Sequence, residues 1–211
     1  MIAKLRSAPQ SLLPLLGLLL LAGLVVWLAP LERTLGAGIK VVYIHVALIW
    51  TGMTALSLIG LLGLGVMATG QESIQTWSQA IGWVGLIFFA AGIAMSMVAA
   101  NVNWGGVFWD EPRFQATFRV LAVAIIILIV NGWPIASRLK GLLSCLLTGF
   151  LAWSILTTPL VLHPQSPVRT SPSTAIRLTF FALFVLSVLM AAWLVWLLRQ
   201  ETEMAAGRKQ G

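Results

Sequence analysis

An all-α integral membrane bundle of six transmembrane helices, one domain over residues 1–211, is the fold this sequence predicts. Three observations predict it. The chain is 59% hydrophobic and only 9% charged, whereas a soluble domain carries roughly a quarter of its residues as Asp, Glu, Lys and Arg. Its apolar residues gather into runs of about 18 or more, long enough for helices to cross a hydrocarbon core about 30 Å thick. These runs follow one another without a linker or a soluble insertion.

Taken in order, the first run is Leu12–Ala29. Lys4 and Arg6 precede it, as in a secretory signal, but it exceeds the roughly 7–15 apolar residues of such a signal and shows no clear small-x-small cleavage site. It reads as a retained span. The second run, Val41–Ala68, and the third, Ala80–Ala100, carry Gly52, Gly60, Gly63 and Gly65, and Gly82, Gly85 and Gly92. Small residues there allow close helix approach in a membrane. The fourth run is Ala116–Ala136, the fifth Leu142–Leu162 and the sixth Ala175–Leu198. Pro164 disfavours helix at His163 and should end the fifth.

Six crossings put both termini on one side. The first, third and fifth loops then share the other side, whichever way the bundle is inserted. Seven Lys and Arg fall on the terminal face (Lys4, Arg6, Arg138, Lys140, Arg199, Arg208, Lys209) and six on the opposite face (Arg33, Lys40, Arg113, Arg119, Arg169, Arg177). The positive-inside tendency therefore favours cytoplasmic termini by a narrow margin. The net charge of +7 is spread over short loops, without the basic cluster a nucleic-acid footprint needs. Cys145 is the single cysteine, which excludes a disulfide framework and a thiolate metal site.

One loop stands apart from the plain connectors, the segment from Asn103 to Arg113. Gly105-Gly106 permits a turn. Asp110 ahead of Pro112 has the form of a helix N-cap for the fourth span. Trp104, Phe108 and Trp109 supply a flat apolar platform. Most of the ten Trp, including Trp27, Trp77, Trp83, Trp133, Trp193 and Trp196, sit near span ends, where interfacial anchoring accounts for them. Anchoring is also the plain alternative for Trp104 and Trp109, as snorkelling to headgroups is for Arg119.

The only two histidines, His45 and His163, fall by loop parity on the same face as this loop. Two imidazoles without a Cys or carboxylate cluster cannot close a zinc site. Haem suits them better. Its iron takes axial His ligands, its faces suit Trp and Phe, and its propionates suit cations such as Lys40, Arg113, Arg119 and Arg169.

A His opening the second span at its mouth (Val42-Tyr43-Ile44-His45-Val46), a Trp-Gly…Trp-Asp loop before the fourth span and a Leu-His-Gln-like element after the fifth occur in that order. In these features the chain resembles the haem exporter protein C family of cytochrome c maturation, one of the haem-handling membrane proteins with a tryptophan-rich WWD signature. The resemblance covers most of the chain. It implies a cytochrome c assembly-like membrane domain that binds haem b transiently, with His45 and His163 as axial ligands of the iron. Trp104, Gly105, Trp109, Asp110 and Arg113 match its loop signature. It implies transfer of haem to a periplasmic haem chaperone, and association with an ABC-type ATPase and a second membrane subunit. The setting would be a bacterial or archaeal cytoplasmic (inner) membrane, and the role would not be enzymatic. The family loop runs approximately Trp-Gly-x-Trp-Trp-x-Trp-Asp-x-Arg. Here Val107-Phe108 stand at its middle Trp pair, Trp109-Asp110 lies one residue nearer Trp104, and Pro164 separates His163 from Gln165. The alternative from another class is a non-haem structural membrane subunit of an ABC-type transporter, with the loop as a docking site. A b-type electron-transfer subunit ranks below both.

Overall fold

The computed structural model describes residues 8–159, 161 and 171–208. The described residues form six helices: α1 (Ala8–Leu28), α2 (Ile39–Thr69), α3 (Glu72–Trp104), α4 (Pro112–Asn131), α5 (Ser137–Thr157) and α6 (Thr174–Arg208). Among the described residues there is no strand, only an isolated bridge between Glu32 and Gly36 in the first loop. Helices α2 to α5, and α6 over Thr174–Gln200, are long and apolar enough to cross a membrane. With these helices the chain is a multi-pass membrane protein. The apolar stretch of α1, Leu12–Leu28, is shorter, so among the described residues five of the six expected spans meet the length and apolarity that a crossing needs.

The bundle is built around α2, which packs against α3, α5 and α6, while α1 lies against α6 and α2. The α2–α3 pair is a tight hairpin. Gly70 turns the chain at φ 69° and donates its amide to the Val66 carbonyl at 2.8 Å. That left-handed conformation is open to glycine without steric cost. Further along the pair, a Cβ on Gly92 would lie 2.7 Å from the Ile49 backbone nitrogen, so the two helices meet through a position that tolerates no side chain. Between α2 and α5, Gly63 and Gly141 do the same. A Cβ on Gly141 would come within 2.7 Å of the Gly63 carbonyl oxygen. Lipid tails are as apolar as Leu, so contact packing of this kind holds membrane helices together where hydrophobic exclusion does not. Thr148 Oγ1 adds a hydrogen bond from α5 to the Leu56 carbonyl of α2, at 2.6 Å. Leu56, Ile59, Phe89, Val120, Leu128 and Leu147 are buried at the centre of the α2–α5 core. A second core joins α2 to α6 through Tyr43, Ala47, Phe180 and Leu183.

Helix limits depart from the apolar runs in an informative way. The second loop shrinks to Gly70 and Gln71, because α3 begins at Glu72 rather than Ala80. The polar residues Gln75 and Ser78, which break the apolar run, are buried on the bundle side of α3. Pro112 starts α4 four residues ahead of the apolar run, its missing N–H and fixed φ suiting a first helical turn. Helix α5 runs from Ser137 to Thr157, ahead of the expected Leu142–Leu162 at both ends.

Candidate functional site

At the end of the bundle where α2 begins, α3 closes and α4 begins, Asn103 ties two helices together. Its Nδ2 donates to Ala99 O at 2.8 Å on its own helix and to Gly38 O at 3.3 Å ahead of α2. Trp104 is the last residue of α3, so it stands on the helix end rather than within a loop. Gly105 follows at φ 77° and donates its amide to Asn101 O at 3.0 Å, which closes the helix.

The end of α3 and the loop 105–111 then present their aromatic rings outward. Trp104 is 48% exposed, Phe108 47% and Trp109 60%. Trp109 is nevertheless held in place. Its ring lies edge-on to Phe114 at 5.5 Å and stacks on Phe118 at 6.5 Å, and those two rings meet edge-on at 4.9 Å. Phe114 and Phe118 are one helical turn apart on α4, on the same face. The carbonyl of Trp109 accepts a hydrogen bond from Gln115 Nε2 at 3.3 Å. The platform inferred from the loop alone is therefore an aromatic corner shared with α4.

The expected cap on α4 is displaced by one residue. Glu111, not Asp110, occupies the N-cap position, and it makes no side-chain cap bond. Pro112 is the first helical residue, so the cap falls on the residue directly before it. Glu111 N donates to Phe108 O at 3.1 Å, which folds the loop into a turn. Asp110 is exposed, while Glu111 is buried. Arg113 is half-buried, and its Nε is buried without a hydrogen-bond partner among the described residues.

His45 sits six residues into α2, about 9 Å along the helix from its start. It is thus part of the helix interior rather than its mouth. It is half-buried, and Nδ1 lies 2.9 Å from the carbonyl oxygen of Gly92 on α3. A carbonyl only accepts, so Nδ1 carries the proton, and in the neutral ring Nε2 bears the lone pair. Gly92 serves twice here. Its missing side chain allows α3 to approach α2, and its carbonyl orients the imidazole.

Lys40 and Arg119 at this end have separate engagements. Lys40 Nζ donates to Trp27 O at 2.7 Å and lies 5.9 Å from the centre of the Trp27 ring, so it closes the end of α1. Arg119 Nη2 reaches Gln115 Oε1 at 3.5 Å, one turn back on α4. Tyr43 donates its hydroxyl to Pro30 O at 3.1 Å. In the first loop, Glu32 accepts the amides of Leu35 at 2.8 Å and Thr34 at 2.7 Å. Those two donors hold its carboxyl below the ordinary carboxylate value.

The structure therefore brings Trp104, Gly105, Phe108, Trp109, Asp110 and Arg113 to one end of the bundle, the end from which His45 is reached. His163, its neighbours Pro164 and Gln165, and Arg169 lie outside the described residues. No group of three or more His, Cys, Asp or Glu side chains capable of holding a metal ion occurs among the described residues. Four residues of this end carry no emphasis in the sequence reading: Asn103, Glu111, Phe114 and Phe118. The Phe pair had a legible signal in its four-residue spacing directly after the loop. The role of Asn103 depends on a partner 65 residues away, and sequence spacing does not reveal it.

The chain matches no protein-family model, and no curated protein matches it in sequence.

Proposed function

We propose that this protein is a haem-handling membrane subunit of c-type cytochrome biogenesis, presenting haem at the end of the bundle where α2 starts and α3 ends. The observation that carries the reading is the 2.9 Å bond from His45 Nδ1 to the Gly92 carbonyl, which fixes the orientation of the ring. An imidazole whose Nδ1–H is held by a main-chain carbonyl has its ring orientation set by the protein, as the rings of metal-ligating histidines do. The exposed rings of Trp104, Phe108 and Trp109 suit the face of a porphyrin, and Arg113 suits its propionates. Haem iron, when bound, would supply a coordination site for imidazole, and His45 and His163 are the residues that would hold it.

The residues of this chain would bind and orient the ligand. His45 acts as a base held at one angle by Gly92. Trp109, held by Phe114 and Phe118, offers a ring face that does not have to be ordered on binding, and so loses less entropy. Handover requires releasable binding, and a platform open to solvent favours release over burial. The acceptor would be a periplasmic haem chaperone, and energy from ATP would come from an associated ABC-type ATPase working with a second membrane subunit. In this setting the membrane is the bacterial or archaeal cytoplasmic membrane and the termini are cytoplasmic.

Titration of the detergent-purified protein with haem tests the proposal. Saturable binding near one haem per chain, weakened by Trp109→Ala, is the expected result. Unsaturable uptake identical in the wild type and the variant would point instead to a structural subunit of an ABC-type transporter.

A further inference from the structure

At the opposite end of the bundle, α3 and α4 bury a set of amides whose hydrogen bonds are incomplete. Gln75 is buried on the first turn of α3, and neither Oε1 nor Nε2 has a partner among the described residues. One turn further on, Gln79 donates Nε2 to Leu128 O of α4 at 2.8 Å, while its Oε1 is buried and unpartnered. One turn beyond Leu128, Asn131 is 3% exposed. It donates Nδ2 to Ser144 Oγ of α5 at 3.2 Å and leaves Oδ1 buried and unpartnered. The two helices run in opposite directions. The Gln79–Leu128 bond therefore sets Gln75 and Asn131 at the same level, within about one turn.

Buried amide groups are almost always paired, and a set of them without protein partners implies a small polar guest. The identity of that guest follows from what is missing. Three oxygens, on Gln75, Gln79 and Asn131, need a donor, while Gln75 Nε2 needs an acceptor. A metal cation satisfies oxygens but cannot accept from an N–H. Water does both, and a buried water makes about three hydrogen bonds. We propose that the α3–α4–α5 junction holds about one or two ordered waters that bridge Gln75 to Asn131 and Gln79. Ser144 is already committed, donating to Lys140 O at 3.1 Å, so it closes the α5 side of the site. The water completes the joint between the α2–α3 and α4–α5 hairpins, and this site is independent of the proposed haem-handling role.

The test is NMR of the full chain in lipid nanodiscs, with side-chain amides of Gln and Asn labelled and assigned by Gln75→Leu and Asn131→Leu. The expected result is a cross-peak from the Gln75 side-chain amide to a long-lived water, lost or weakened in Asn131→Leu. A direct Gln75–Asn131 amide contact with no water cross-peak overturns the proposal. So does a shift of these amides when potassium replaces sodium, because it identifies a cation. If either variant fails to fold, a wild-type cryo-EM map that resolves waters decides. Density about 3 Å from both amides supports the site, and its absence contradicts it.

Discussion

His45 of α2 and Gly92 of α3 are joined by a 2.9 Å hydrogen bond from the imidazole Nδ1 to the main-chain carbonyl. The same glycine is one of the positions where α3 meets α2 with no room for a side chain, against the Ile49 backbone. One residue therefore contributes to the spacing of the central hairpin, with Gly52 and Gly85, and orients its histidine. A larger residue at that position should disturb both.

Gly92→Leu is expected to destabilise the protein by about 1–3 kcal/mol through overpacking, read as a lower thermal midpoint in detergent. A Cβ there would meet backbone atoms of Ile49, at 2.7 Å from N and 2.9 Å from Cα. Backbone cannot rotate away, so the helices must separate. Gly149→Ala, at a position with nothing within 4 Å, should leave the midpoint almost unchanged.

Gly105→Val should cost about 1–2 kcal/mol, because φ 77° is the left-handed region that an L side chain avoids. No neighbour would touch the new Cβ, so the loss measures backbone strain alone. Gly106→Ala is the matched control. It also has open space, and its φ is not positive, so little change is expected by the same unfolding measurement.

Trp109→Ala removes one ring from two aromatic contacts. Each such pair contributes about 0.5–1.5 kcal/mol. The expected result is faster proteolysis of the 105–111 loop together with weaker haem binding. Phe118→Leu keeps the apolar volume but loses the stacking partner of Trp109, and should weaken haem binding by a smaller factor than Trp109→Ala.

Glu32 gives a pH prediction with a definite sign. Its carboxyl is held below the ordinary value of 4.5 by the Leu35 and Thr34 amides. Its folded-state value is thus lower than its unfolded one. The ordering of the first loop that it supports is fully present above about pH 4.5 and is lost as the pH falls through the lowered folded value. Amide exchange at Thr34 and Leu35 should accelerate in acid. Glu32→Gln should remove most of that pH dependence.

The membrane bundle was legible in the sequence because apolar length is a direct physical requirement of a span. The ends of the helices were less so. Gln75 and Ser78 read as part of a polar loop, yet they belong to α3 and face other helices. A run of hydropathy cannot distinguish a polar residue in a loop from one buried between helices. The cap of α4 was misplaced for a related reason. Asp110 and Glu111 are both acids before Pro112, and only the backbone shows that Glu111 is the one in the cap position. Loop parity correctly assigned His45 and the Trp-rich segment to one end, since it needs only the order of the helices. Parity gave no depth, and His45 lies about two turns inside α2. Its bond to Gly92 joins residues 47 apart, a pairing that exists only once the α2–α3 hairpin has formed.

The most direct measurement is the visible absorption spectrum of the purified protein reconstituted with haem, wild type beside His45→Ala and His163→Ala. Haem handling through these residues predicts a low-spin bis-histidine spectrum in the wild type. Each single variant should lose or convert it, with circular dichroism showing the helices intact. An unchanged low-spin spectrum in both variants, or no haem spectrum in the wild type at all, would contradict it.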